Sequence, residues 1–98
     1  MIKYLKEENF DDEIKNGQVL VDFYADWCGP CKMMGQVLEE LDNIKILKVN
    51  TDEFENLASR FGVMSIPTII LFKEGKEIAK NIGFMPKEEL QKWLAENK

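Results

Sequence analysis

Apolar residues gather along this chain in short, nearly continuous runs, and between the runs they recur every three or four positions. Val19 to Ala25 (VLVDFYA) is nearly all apolar, the signature of a strand buried on both faces. Ile44 to Asn50 and Thr68 to Phe72 read the same way, and Ile2 to Leu5 predicts a shorter strand. From Cys31 to about Leu41, the residues Met34, Val37, Leu38 and Leu41 fall on one side of a helix. Asn9 followed by Phe10, Asp11, Asp12 and Glu13 starts an earlier helix that Asn16-Gly17 ends. Leu57, Ala58 and Phe61 mark a short helix. Pro86 suits an early position of a last one, whose apolar face is Leu90, Trp93 and Leu94. Glu74-Gly75 signals a tight turn, and Glu77 to Ile82 is the hairpin partner of the strand before it.

The resulting order, β-α-β-α-β-α-β-β-α, implies an α/β sandwich: a largely parallel sheet covered on both faces, closed by an antiparallel hairpin. Ninety-eight residues suffice for one core and one domain, spanning 1–98. A formal net charge of −5, with no cluster of Lys and Arg, argues against a nucleic-acid partner and against an anionic membrane surface. No apolar run approaches the ~20 residues that span a bilayer. The opening MIKYLKEENF lacks the apolar segment of a signal peptide, so a cytoplasmic location is expected. In a reducing compartment, a close cysteine pair points to catalysis or metal rather than to structural stapling.

That pair is Cys28 and Cys31, the only cysteines, in ADWCGPCK at the carboxyl end of a central strand, where open α/β sheets place their chemistry. With Cys28 at the cap of the second helix and Cys31 in its first turn, the two side chains are neighbours, and a modest adjustment closes a disulfide. Pro30 is tolerated there because its missing N–H had no intrahelical partner, and Gly29 should leave Cys28 uncovered. The helix N-terminus favours thiolate at Cys28, the nucleophile, while Cys31 one turn deeper is the resolving thiol. A zinc site usually needs four Cys or His ligands, and the chain has no histidine and no third cysteine, so no metal is expected. A disulfide across two residues would restrain the unfolded chain little, which leaves redox exchange as the favoured reading.

WCGPCK preceded by VDFYAD resembles the active-site signature of the thioredoxin family. The likeness continues through KVNTD, SIPTIILFKEG and NIGF over nearly the whole chain. The resemblance implies a thioredoxin-like three-layer sandwich, with a central mixed sheet of about five strands flanked by four helices. It implies a monomeric protein-disulfide reductase with no bound cofactor, re-reduced with electrons from NADPH through a separate thioredoxin reductase. Its partners would be that reductase and disulfide-containing proteins. The alternative is a redox-independent interaction subunit that uses the surface around Trp27, Ile66 and Gly83.

Asp22 interrupts an apolar strand. It is either an edge acid facing water or a buried carboxyl with a raised pKa. The resemblance makes it the proton acceptor for Cys31, reached through a bridging water, since it sits roughly 10 Å before the strand's end. Lys48, by composition a solvated or snorkelling lysine, is placed by the resemblance beside that acid, tuning it. Pro67 could merely punctuate a strand edge, whereas the resemblance implies a cis Ile66-Pro67 bond facing the cysteines. Trp27, beside the nucleophile, is read as surface. The resemblance implies that with Gly29, Pro30, Ile66, Pro67, Gly83 and Phe84 it forms an apolar docking patch that binds extended peptide by shape and backbone. Trp93 is read as core. The chain departs from the family pattern at Tyr24, Gly35-Gln36, Met64 and Ser65, which puts partner preference, and any kink in the second helix, in question.

Overall fold

The computed structural model describes residues 1–98. Five strands, β1 (Ile2–Tyr4), β2 (Gln18–Tyr24), β3 (Lys45–Asn50), β4 (Thr68–Lys73) and β5 (Lys76–Ile82), form one sheet in the order β1-β3-β2-β4-β5. β1, β3 and β2 run parallel to one another, β4 is antiparallel to β2, and β5 is antiparallel to β4. Four helices cover it: α1 (Phe10–Ile14), α2 (Gly29–Glu39), α3 (Glu55–Arg60) and α4 (Lys87–Glu96). The expected sandwich, with its mixed sheet and four helices, is the one observed.

Strand parity decides what each face contains, because alternate residues point to opposite sides of a sheet. Val19, Val21 and Phe23 of β2 join Leu47, Val49, Ile70 and Phe72 in one core with Phe10 and Ile14 of α1. Leu20 of β2 joins Ile46, Ile69 and Leu71 in a second core, with Met34 and Leu38 of α2 and Leu90 of α4. Trp93 packs half-buried against this second core, as its place on the apolar stripe of α4 implied. Asp22 and Lys48 have the parity of Leu20 and Ile46, so both sit on the α2 face of the sheet. They are also register partners on adjacent strands.

Two boundaries differ from expectation. Pro86 is the N-cap of α4 rather than a helical residue, with ψ of 162° in the extended region. α2 begins at Gly29 with Cys28 as its cap, as expected, and runs unbroken through Gly35-Gln36, but it ends at Glu39 rather than near Leu41.

Candidate active site

β2 ends at Tyr24 and the chain turns through Asp26-Trp27 into α2, which puts both cysteines at the carboxyl edge of the sheet. Cys28 is the N-cap residue in extended conformation, and its Sγ accepts the backbone N–H of Cys31 at 3.2 Å. Pro30 occupies the first turn, where no intrahelical donor is lost. Cys28 and Cys31 are joined as a disulfide, their Cα atoms 5.2 Å apart. Two sulfurs at a helix N-terminus, one of them receiving a backbone N–H, are placed where negative charge on sulfur is stabilised.

β4 is antiparallel to β2 and pairs Thr68 with Phe23, so the segment entering β4 arrives beside the end of β2. That segment carries the cis Ile66-Pro67 bond, as the sequence resemblance implied. The Ile66 carbonyl oxygen lies 3.8 Å from Cys28 Sγ. Tyr24 and Ile66 pack against the cysteines and close over them. The expected contrast between an uncovered Cys28 and a buried Cys31 is therefore absent in the disulfide: the residues are 4% and 2% exposed. Gly29 and Pro30 are themselves exposed, but they do not uncover the sulfur beneath Ile66.

Behind the disulfide, Asp22 is fully buried, which rules out the water-facing edge acid. Neither carboxylate oxygen has a hydrogen-bond partner, although the Lys48 ammonium stands 3.4 Å from Oδ2. Burial pushes the Asp22 carboxyl up to about 6, and the Lys48 charge opposes this without cancelling it. Lys48 is neither solvated nor free to snorkel. Its side chain is 10% exposed, and its Nζ lies 4.6 Å from the Tyr24 ring centroid and 5.6 Å from that of Tyr4. A small cavity lined by Tyr4, Tyr24, Asp26, Cys31, Lys32 and Lys48 connects the resolving cysteine to the ammonium. Asp22 itself does not line that cavity. Tyr4 was missed as a site residue because only the pairing of β1 with β3 brings it beside Lys48.

The remaining expected docking residues differ in exposure, and Pro67 is itself buried. Trp27 is 71% exposed, and its Nε1 donates to Asp52 Oδ2 at 2.9 Å. The Gly83 N–H donates to the Pro67 carbonyl at 2.8 Å, which fastens the turn after β5 to the cis-proline segment. Gly83 adopts φ of +96°, a region that favours glycine, and Phe84 beside it is partly exposed. Met64 projects almost wholly into solvent two residues before Ile66. Asp52 was also missed. Its signal lies in Asn50, whose side chain accepts the Asp52 N–H at 2.9 Å and shapes the loop after β3.

Comparison with known proteins gives one consistent result. The thioredoxin family model matches residues 1–96. A thioredoxin from Chlamydia muridarum is 46% identical over 101 residues, covering 99% of each chain. One from Bacillus subtilis is 48% identical over 90 residues, covering 87% of this chain and 86% of its own. Among solved structures, a mutant thioredoxin from Halobacterium salinarum superposes with a TM-score of 0.87 at 35% identity, covering 98% of this chain and 89% of that one.

Proposed function

Since this chain belongs to the thioredoxin family and is a thiol–disulfide oxidoreductase, we propose the following division of labour among its residues. The observation that carries it is the Cys28–Cys31 disulfide at the N-terminus of α2, where Cys28 Sγ caps the helix by accepting the Cys31 N–H. In the reduced protein, Cys28 thiolate attacks one sulfur of a substrate disulfide. A mixed disulfide forms and the substrate's other sulfur leaves as thiolate, taking up a proton. Cys31 then gives its proton toward Asp22 and attacks Cys28. The mixed disulfide breaks, the second substrate thiol is released, and two electrons have passed to the substrate.

Lys48 tempers the proton affinity of Asp22. Trp27, Gly29, Pro30, Ile66, Pro67, Gly83 and Phe84 form the docking surface, where an extended substrate segment lies across the cis-proline backbone. The chain works as a single-domain cytoplasmic monomer that carries electrons from NADPH by way of a thioredoxin reductase and so contributes to cell redox balance. No helix is long and apolar enough to cross a membrane. The family and the site lend no support to an interaction subunit indifferent to its thiols.

The test is insulin reduction driven by NADPH and a thioredoxin reductase. Turnover is expected from the parent chain and none from Cys28→Ser. Cys31→Ser should instead accumulate the mixed disulfide, visible by mass spectrometry. Failure of the parent chain to reduce insulin even with dithiothreitol as donor would overturn the reading.

A further inference from the structure

We propose that Gly35 is a positioning residue for this site: having no side chain, it leaves the space in which the Lys48 ammonium stands against Asp22. The inference rests on the redox reading above and concerns how its proton-handling pair is held. Gly35 lies within α2, on the helix that covers the Asp22 face of the sheet. A Cβ at this position would come 3.2 Å from Lys48 Nζ, tighter than ordinary van der Waals contact. The same ammonium lies 3.4 Å from Asp22 Oδ2 and 4.6 Å from the Tyr24 ring centroid, so helix, ring and carboxylate bound it on three sides.

Nothing else in the structure calls for glycine here. The backbone of Gly35 is not left-handed, and a half-buried position inside a helix favours alanine. The glycine thus gives up helix stability at the one point where it makes room for the ammonium. An added methyl group must displace Nζ by a few tenths of an ångström. The carboxylate is the partner that loses, because Asp22 has no hydrogen bond to hold the lysine in place. The other ionisable groups around Lys48 in the oxidised protein are Tyr4 from β1, Tyr24 from β2, Asp26 from the following loop and Lys32 from α2. Ile69 of β4, opposite Asp22 in the sheet, is apolar, so Lys48 is the cation placed to oppose protonation of Asp22.

The experiment titrates the Asp22 carboxyl carbon by NMR in the oxidised protein. In Gly35→Ala the midpoint should rise by about half a pH unit, roughly a threefold gain in proton affinity. In a Lys48→Met background the same substitution should leave the midpoint where Lys48→Met alone puts it. Gly35→Ser places a Cβ at the same point, and should shift the midpoint in the same direction if alanine disturbs the fold. The pH profile of mixed-disulfide resolution should move with the titration. An unchanged midpoint in Gly35→Ala, or an equal rise without Lys48, overturns the proposal. Insulin reduction by the parent chain tests the redox reading separately, since the titration reports on the pair whether or not the chain turns over.

Discussion

Asp22 carries a carboxyl group to a place where the fold offers it no hydrogen-bond donor and only a misaligned cation. Its pKa, raised to about 6 mainly by burial, means that the folded state prefers the protonated acid. The stability linked to this group is full below its unfolded value near 4 and is lost as pH rises through about 6. A shift of about two units corresponds to about 3 kcal/mol, so Asp22→Asn should be more stable than the parent by about 2–3 kcal/mol near pH 8. The gain should vanish below about pH 4, where both side chains are neutral. Urea denaturation at the two pH values measures it, and equal midpoints near pH 8 would mean that the carboxylate is solvated. The same substitution should slow resolution of the mixed disulfide near neutral pH, since a proton acceptor is gone; an unaltered pH–rate profile would remove Asp22 from the mechanism. This residue was legible in the sequence because an acid within VLVDFYA conflicts with its neighbours. Tyr4 was not, and Gly35 stood out only as a departure from the family pattern, because neither points to Lys48 until β1, β3 and α2 converge on it.

Short elements depend on contacts outside themselves, and α1 shows how. It has five residues, and its N-cap Asn9 makes no capping bond; the Asn9 side chain donates instead to Glu13 at 3.3 Å. Besides Phe10 and Ile14 in the core, the helix is held by Glu13, whose carboxylate takes Lys3 of β1 at 2.7 Å and Lys45 of β3 at 2.8 Å. Those two lysines, Lys3 first, hold the Glu13 carboxyl down to about 2. A depressed carboxylate pKa stabilises the fold above the unfolded value, and that contribution is lost as pH falls through the folded one. Glu13→Gln should therefore cost about 1–2 kcal/mol at neutral pH, discounted because both lysines are partly exposed, and the difference from the parent should close toward pH 2. Thermal melts across that range test it. The sequence announced α1 through Asp11, Asp12 and Glu13, but it could not reveal that one of these acids faces the sheet. At α4 it put Pro86 one position too far into the helix, because a proline's fixed φ fits N-cap and first turn alike and only ψ separates them.

Across the whole molecule, the layers were readable because a fully apolar strand must be covered on both sides, and the helical runs between strands supply the cover. The position of the site follows from the same order. β2 is flanked by parallel β3 and antiparallel β4, so the end of β2, the start of α2 and the entry to β4 meet at one edge. Charge distribution was less legible, since a net charge of −5 does not say where the acids lie. In the fold, Asp52, which holds Trp27, borders a cleft with Glu8, Asp11, Glu53 and Glu55, and Arg60 is the one basic residue lining it. The Arg60 guanidinium is already paired with Asp11 at 2.8 Å. One flank of the redox edge is thus acidic, and like-charged segments approaching Trp27 are repelled over the Debye length, about 30 Å at 0.01 M salt and 8 Å at 0.15 M. A disulfide peptide flanked by lysines should therefore be reduced with a higher kcat/KM than its glutamate-flanked counterpart at low salt. The advantage should be roughly threefold or more and should shrink as salt is raised. Asp52→Asn should narrow the gap, although it also loosens Trp27, so Glu53→Gln and Glu55→Gln provide the charge change without touching the indole. If the two peptides react alike at low salt, docking at this edge is governed by the apolar surface of Trp27, Met64 and Phe84 alone.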